Sequence, residues 1–423
     1  MAIKANLKRG SESIFSLTCY HYSQHSLHSY STMIRYFTAG ESHGPTLTGI
    51  IEGVPAGLQI KEADIAEHLA RRQKGYGRGG RMAWEKDVAR IDSGVRFGKT
   101  MGGPIAMVIQ NRAFKKDKAG WPVVMNKEVE AEGIEKITLP RPGHADLVGA
   151  QKFRFNDIRP VIERSSARET SMRVACGSVA RQFLKQFGIE IGGHVLRIGA
   201  AGYNDWDQIR KKTAGFMENG AESLYRAADL SEVRCLDAEL TKQMVNEIKI
   251  YRKAGSSLGG IYEVIVTGVP VGLGSYTHWD RKIDGKLAQA VLSTQAMKGI
   301  EIGLGFESGT RPGHQVHDEI IHTGKRFSRN TNRSGGIEGG MTTGEPIIIR
   351  GVMKPIPTML NPLQTVDIHS LEQTETRYER SDVCAIPRAL VVAESVIAPV
   401  IANAFLKKFG GDSISEIQER YSI

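Results

Sequence analysis

Two stretches of this chain repeat each other at a fixed distance, and the repeat limits the folds open to it. Gly40-Glu-Ser-His-Gly44 followed by Gly53-Val-Pro-Ala-Gly-Leu58 returns as Gly255-Ser-Ser-Leu-Gly259 followed by Gly268-Val-Pro-Val-Gly-Leu273. The offset is 215 at every matched position (255 − 40, 273 − 58). Each copy reads as a glycine turn, a strand, a Gly-Val-Pro turn and a helix. Two related strand–turn–helix halves predict one pseudo-symmetric α+β domain. His43 in the first copy stands where the second has Leu258. The repeat therefore predicts chemistry on one half and packing on the other.

Apolar spacing supplies the remaining elements. Thr46–Gly53, Pro104–Gln110, Ile261–Gly268 and Pro346–Val352 read as strands. Lys61–Arg72, Arg168–Phe187, Arg281–Lys298 and Ala389–Phe409 read as helices. The apolar run Ala385–Ile401 is interrupted by Pro387, Arg388, Glu394 and Pro399, which predicts no membrane span. From Met33 onward no Pro- or Ser-rich linker appears, so 33–423 is expected to be a single domain. Residues 1–32 carry one acid, Glu12, and many Ser, His and Tyr. They read as a disordered extension or a start placed upstream of Met33, with an organelle transit peptide as the alternative. His21, His25 and His28 are assigned to that polar tail rather than to a metal site. Cys19, Cys176, Cys235 and Cys384 form no CxxC pair. A reduced, cytoplasmic protein is expected.

Fifty-six Lys and Arg against 46 Asp and Glu leave a net charge of +10, which points to an anionic partner. Four polar clusters are candidates. His43 lies between glycines and suits proton transfer, although a turn histidine bonded to backbone has the same pattern. Arg71-Arg-Gln-Lys-Gly-Tyr-Gly-Arg-Gly-Gly-Arg81 sets five cations among four glycines. It reads as a phosphate or carboxylate cradle, an RGG-like RNA segment, or a solvated loop. Arg141-Pro-Gly-His-Ala-Asp146 and Glu163-Arg-Ser-Ser-Ala-Arg-Glu-Thr170 place His144, Arg141 and Arg168 near a helix start that Ser165 or Ser166 could cap. Arg311-Pro-Gly-His314 repeats the first tetrapeptide and lowers its meaning when taken alone. Lys354-Pro-Ile-Pro-Thr358 and Arg380-Ser-Asp382 form the fourth cluster, where Asp382 could orient a ring or cap the last helix. No zinc spacing, P-loop or nucleophile elbow appears, and no metal is expected. The residues alone lead as far as proton-transfer chemistry on a polyanionic small molecule.

Taken together, these motifs resemble the chorismate synthase family from Met33 to about Phe409. The resemblance implies a β-α-β sandwich with helices between two antiparallel sheets, assembled as a homotetramer. It implies anti-1,4-elimination of phosphate from 5-enolpyruvylshikimate 3-phosphate, with reduced FMN required and no net redox change. His43, His144 and Asp382 match the family's catalytic positions. Arg72, Arg78, Arg81, Arg141 and Arg168 match substrate contacts. Arg164, Ser165, Ser166, Gln295, Ala296, Gly339, Lys354, Pro355, Ile356, Pro357, Thr358 and Arg380 match flavin contacts. Gln295 departs from the Asn that many relatives carry there. Where members also reduce their own flavin with NADPH, Arg72 and Arg78 would take the NADP; otherwise an external flavin reductase supplies it. No nucleic acid and no membrane partner is expected.

Overall fold

The computed structural model describes residues 33–422 except 79–85, 116–119, 131, 325 and 378–381. Two antiparallel sheets carry the architecture. The first, in the order β1-β2-β6-β3, consists of β1 (Arg35–Ala39), β2 (Thr46–Glu52), β6 (Ile105–Gln110) and β3 (Ala89–Ile91). The second runs β10-β13-β9-β7-β8, from β7 (Glu190–Ile198), β8 (Ala201–Gly202), β9 (Gly260–Thr267), β10 (Met297–Ile302) and β13 (Ile347–Met353). Smaller two-stranded pairs accompany the sheets, among them β4 (Val95–Arg96) with β5 (Lys99–Thr100), and β11 (Ile337–Glu338) with β12 (Met341–Thr342).

The repeat holds down to individual hydrogen bonds. After β2, Leu58 N donates to Thr100 Oγ1 at 2.9 Å, and that hydroxyl donates to Pro55 O at 2.6 Å. After β9, Leu273 N donates to Thr342 Oγ1 at 2.8 Å, and that hydroxyl donates to Pro270 O at 2.6 Å. Backbone bonds Gly57 N to Thr100 O and Gly272 N to Thr342 O match as well, at 2.9 and 2.8 Å. Gly53 and Gly268 take φ 74° and 76°, and a Cβ on either would lie about 2 Å from a backbone carbonyl, of Met33 or of Gly188. Only glycine tolerates both the φ and the approach. At the hairpins the offset grows to 242 (342 − 100), because the stretch leading to β11 is 27 residues longer (242 − 215) in the second half, with most of the added chain lying between β10 and β11.

Helices α1 (Glu62–Gln73), α4 (Thr170–Lys185), α5 (Ile283–Leu292) and α6 (Ile386–Phe409) supply the core. The short helices α2 (Asp146–Phe153) and α3 (Arg159–Ser165) precede α4. Buried Met172, Ala175, Val179 and Phe183 face one shared core with Leu390, Ile397, Ile401 and Phe405. The helix expected over Ala389–Phe409 forms and starts three residues earlier: α6 runs unbroken for 24 residues through Pro399, with Pro387 harmless in its first turn. Pro399 denies Ser395 O its helical donor. Gly177 of α4 approaches that same carbonyl so closely that a Cβ would lie 2.2 Å away. By length and composition α6 could cross a membrane, but 83% of its apolar window is buried in the core. The helix expected to reach Lys298 stops at Leu292, because Ala296 takes φ 64° and the chain turns into β10.

Buried charge locks α1 to α6. Glu394, fully buried, accepts from Arg71 Nη1 at 2.6 Å and from Arg181 Nη1 at 3.2 Å. Removing one partner of such a group costs about 3–5 kcal/mol. Arg71 thus leaves the expected five-cation cradle. It is spent on Glu394 and Asp229, with its guanidinium 4.1 Å from the Tyr225 ring.

Candidate active site

The Gly40–Gly44 turn joins β1 to β2, and Asn111, just after β6, closes it by donating Nδ2 to Gly44 O at 2.7 Å. His43 is held from three sides. Its backbone N–H donates to Glu163 Oε2 at 2.8 Å, and its Nδ1 lies 3.0 Å from Glu163 Oε1. Its ring stacks on Trp121 at 3.8 Å between centroids, 13° from parallel. Glu163 is 1% exposed. Burial alone would raise its carboxyl, but the bonds from His43 and the charge of Arg159 hold it below the usual range. Ser166 Oγ donates to Ser42 Oγ at 3.1 Å and caps the turn before α4 by accepting from Arg168 N. Of the two candidate serines, Ser166 is therefore the cap.

Arginines gather beside this turn. Arg168 donates to Asn111 Oδ1 at 2.9 Å and to Asp87 Oδ2 at 2.6 Å. Arg72, at the end of α1, donates to Thr170 Oγ1 at 3.0 Å and Ala167 O at 2.7 Å, and lies 3.7 Å from Asp87. Arg78 is exposed and donates to Gln73 O at 3.0 Å. Arg81 lies outside the described residues. Asp382 pairs with Arg388 and does not cap α6. Burial, with Arg72, Arg78 and Arg234 nearby, pushes Arg388 down to about 9.

The second histidine sits in an analogous setting. His144 Nδ1 lies 2.5 Å from Asp146 Oδ1, and Arg141 bonds Asp146 at 2.8 Å and reaches Thr358 Oγ1 at 3.3 Å. Burial would raise the Asp146 carboxyl, but His144 and Arg141 hold it well below the ordinary range. The Lys354 ammonium donates to Gly143 O, which ties Lys354–Thr358 to the His144 turn. The second-half turn braces this segment: Ser257 Oγ donates to Ile356 O at 2.5 Å, and Gly259 packs on Pro355. Pro357 completes the stiff run.

Lys354 N also donates to Ala296 O at 3.0 Å, and Gln295 donates Nε2 to Glu169 Oε2 at 3.2 Å. Thr38 donates to the same Glu169, and Arg164 donates to Thr38 O at 2.7 Å. A chain of contacts thus runs from Arg164 through Glu169, Gln295 and Ala296 to Lys354 and His144. Along it, Ser165 Oγ, Thr294 Oγ1 and Gln295 Oε1 are buried without a hydrogen-bond partner among the described residues. Such atoms are costly unless a ligand or water satisfies them. Gly339 is set apart at the exposed tip of the β11–β12 hairpin, with open space where a Cβ would stand. Arg380 lies outside the described residues. Sequence reasoning gave no role to Glu163, Glu169, Asp87, Asn111, Trp121 or Arg388. The two glutamates were visible as acids in an otherwise cationic stretch; the others gave no local signal.

The family model for chorismate synthase matches residues 34–406. The chain is 54% identical over 392 residues to a chorismate synthase of Salinibacter ruber, covering 91% of this chain and 97% of that one. It is 53% identical to one of Chlorobaculum tepidum over 397 residues, covering 92% and 97%. A crystal structure of chorismate synthase superposes with a TM-score of 0.72 at 40% identity, covering 92% of this chain and 96% of the other. With the repeat, the arginine cluster and two carboxylate-held histidines already in place, these matches settle the kinship: the chain belongs to the chorismate synthase family.

Proposed function

We infer that this chain converts 5-enolpyruvylshikimate 3-phosphate to chorismate and inorganic phosphate by anti-1,4-elimination, a lyase reaction of the shikimate pathway. The observation that carries the reading is the convergence of Arg72 and Arg168 on the His43 turn, bridged by Asp87 and Asn111. The substrate bears two carboxylates and a phosphate, which guanidinium forks match in paired geometry. Arg71 and Arg72 are buried rather than displayed, which weighs against an RNA-binding stripe.

The residues fit reduced FMN. Ser165, Thr294 and Gln295 offer unsatisfied polar atoms for a heteroaromatic edge, and Lys354 and Thr358 suit a phosphate. When bound, the reduced flavin supplies electron density as phosphate leaves and takes up the departing hydrogen. The remaining work falls to the chain. His144, oriented by Asp146, donates a proton to the leaving phosphate. Arginines stabilise the charge that develops there. His43 holds an exchangeable proton beside Ser42 and Ser166, and Asp382 steadies Arg388 at the arginine cluster.

Helices α1, α4, α5 and α6 are taken as the middle layer of a β-α-β sandwich, which their shared core supports. Residues 33–423 act as one domain, and four copies form the working, cytoplasmic enzyme. Sedimentation at working concentration tests the tetramer. The activity test is anaerobic: the enolpyruvyl phosphate substrate with chemically reduced FMN should release chorismate and phosphate in equal amounts. Absence of both with loaded enzyme would sink the reading. Repeating it with NADPH and oxidised FMN decides whether the chain reduces its own flavin or needs an external reductase.

A further inference from the structure

We propose that Glu163 is a positioning residue for the reaction: its buried carboxylate fixes the tautomer and plane of His43, with Trp121 and Arg159 completing the clamp. The proposal rests on the reading of His43 as a proton-transfer residue.

Glu163 grips His43 twice. One carboxylate oxygen accepts the His43 backbone N–H at 2.8 Å, and both lie 3.0–3.1 Å from Nδ1. The backbone of Glu163 joins in, since Ser42 N donates to Glu163 O at 3.1 Å. An ionised carboxylate accepts hydrogen bonds and donates none. Nδ1 must therefore carry the hydrogen in the neutral ring, which leaves Nε2 as the nitrogen that gains and loses a proton. Trp121 fixes the ring plane from one face. Arg159 Nη1, 3.5 Å from Glu163 Oε1, helps keep that carboxylate charged, and its guanidinium lies 5.6 Å from the Trp121 ring. Three side chains from two separate segments thus clamp one imidazole. A surface-stabilising acid would be solvated, whereas this one is almost wholly buried. The same logic governs carboxylates that orient catalytic or metal-bound histidines elsewhere.

The test compares Glu163→Gln, Glu163→Leu and His43→Ala by anaerobic turnover and by 15N NMR of histidine-labelled protein. His43→Ala serves to assign the His43 signals. In the unsubstituted enzyme the neutral ring should be the Nδ1–H form, and in Glu163→Leu the Nε2–H form should dominate. Glu163→Gln should lower kcat by roughly tenfold to a hundredfold, with KM and FMN affinity within about twofold. If Glu163→Leu fails to fold, Glu163→Gln and the unsubstituted spectrum carry the test. An Nε2–H ring in the unsubstituted enzyme, or full kcat in Glu163→Gln beside an inactive His43→Ala, overturns the proposal. Full kcat in His43→Ala instead overturns the reading of His43, while the tautomer result still reports on the clamp.

Discussion

The two halves of the molecule share a backbone and divide the labour. In the first, Ser42 N donates to Glu163 O at 3.1 Å, so the glycine turn leans on the chain entering α4. In the second, Leu258 N donates to Val383 O at 2.8 Å, so the matching turn leans on the chain entering α6. Five residues further, the first half has Arg168 and the second Arg388. The first turn carries His43 against a buried carboxylate. The second carries Leu258 in the core and uses Ser257 and Gly259 to brace Lys354–Pro357. The same backbone thus serves as a chemical site or as a bracket, and two side chains decide which.

The widest contrast should come from matched substitutions in the two turns. His43→Ala is expected to lower kcat by about 10²–10⁴ while FMN still binds, and His144→Ala should act in the same direction. Leu258→Ala should instead cost about 2–5 kcal/mol of stability and keep kcat near the starting value once folded. Anaerobic turnover and denaturant melts of the three variants read this out. Comparable kcat losses in Leu258→Ala and His43→Ala would erase the division between the halves.

Much of this was legible in the sequence because glycine and proline positions are dictated by backbone geometry. Gly53 and Gly268 announce themselves through a φ that other residues avoid. His43, His144, Arg72 and Arg168 stood out as polar residues in glycine-flanked or helix-end settings. What stayed hidden depends on long-range contact. Asp87 and Asn111 meet Arg168 from 81 and 57 residues away, and no local pattern marks them. Arg71 looked equivalent to Arg72, yet it faces Glu394, 323 residues further along the chain. One step around a helix turned an expected ligand contact into a core ion pair.

A structural test of the repeat uses Thr100→Val and Thr342→Val. Each removes one hydroxyl that both donates to a proline carbonyl and accepts from a leucine N–H. Leaving those buried groups unmet should cost about 1–3 kcal/mol in each variant. Equal losses in denaturant melts would support equivalent turns. A loss confined to one variant would mean that the second geometry survives without its hydroxyl.

Acid should separate the halves more gently. Asp146, Glu163 and Glu169 are all held below the usual carboxylate range by histidine and arginine partners that outweigh burial. A depressed native pKa contributes stability that is present above the unfolded value, near 4, and is lost as pH falls through the native one. Below about pH 4, amide exchange in 141–170 should therefore accelerate before exchange in 384–395, where Glu394 is held by two arginines in the core. Simultaneous loosening would show that the site carboxylates do not set the acid limit.

The smallest effect is expected where the repeat has no counterpart. Gly53 packs against the carbonyl of Met33 and Gly268 against that of Gly188, so each half begins at its own first strand. The family match likewise opens at residue 34. The matched repeat opens at Gly40, and among the described residues none of the site precedes Thr38. Deleting 1–32 should leave kcat and KM within about twofold and the melting temperature nearly unchanged, because the closing contacts of β1, including Asn403 on the backbone of Ile34, all remain. A deletion that unfolds the enzyme or abolishes turnover would move the boundary of the first half upstream and make the repeat unequal at its origin.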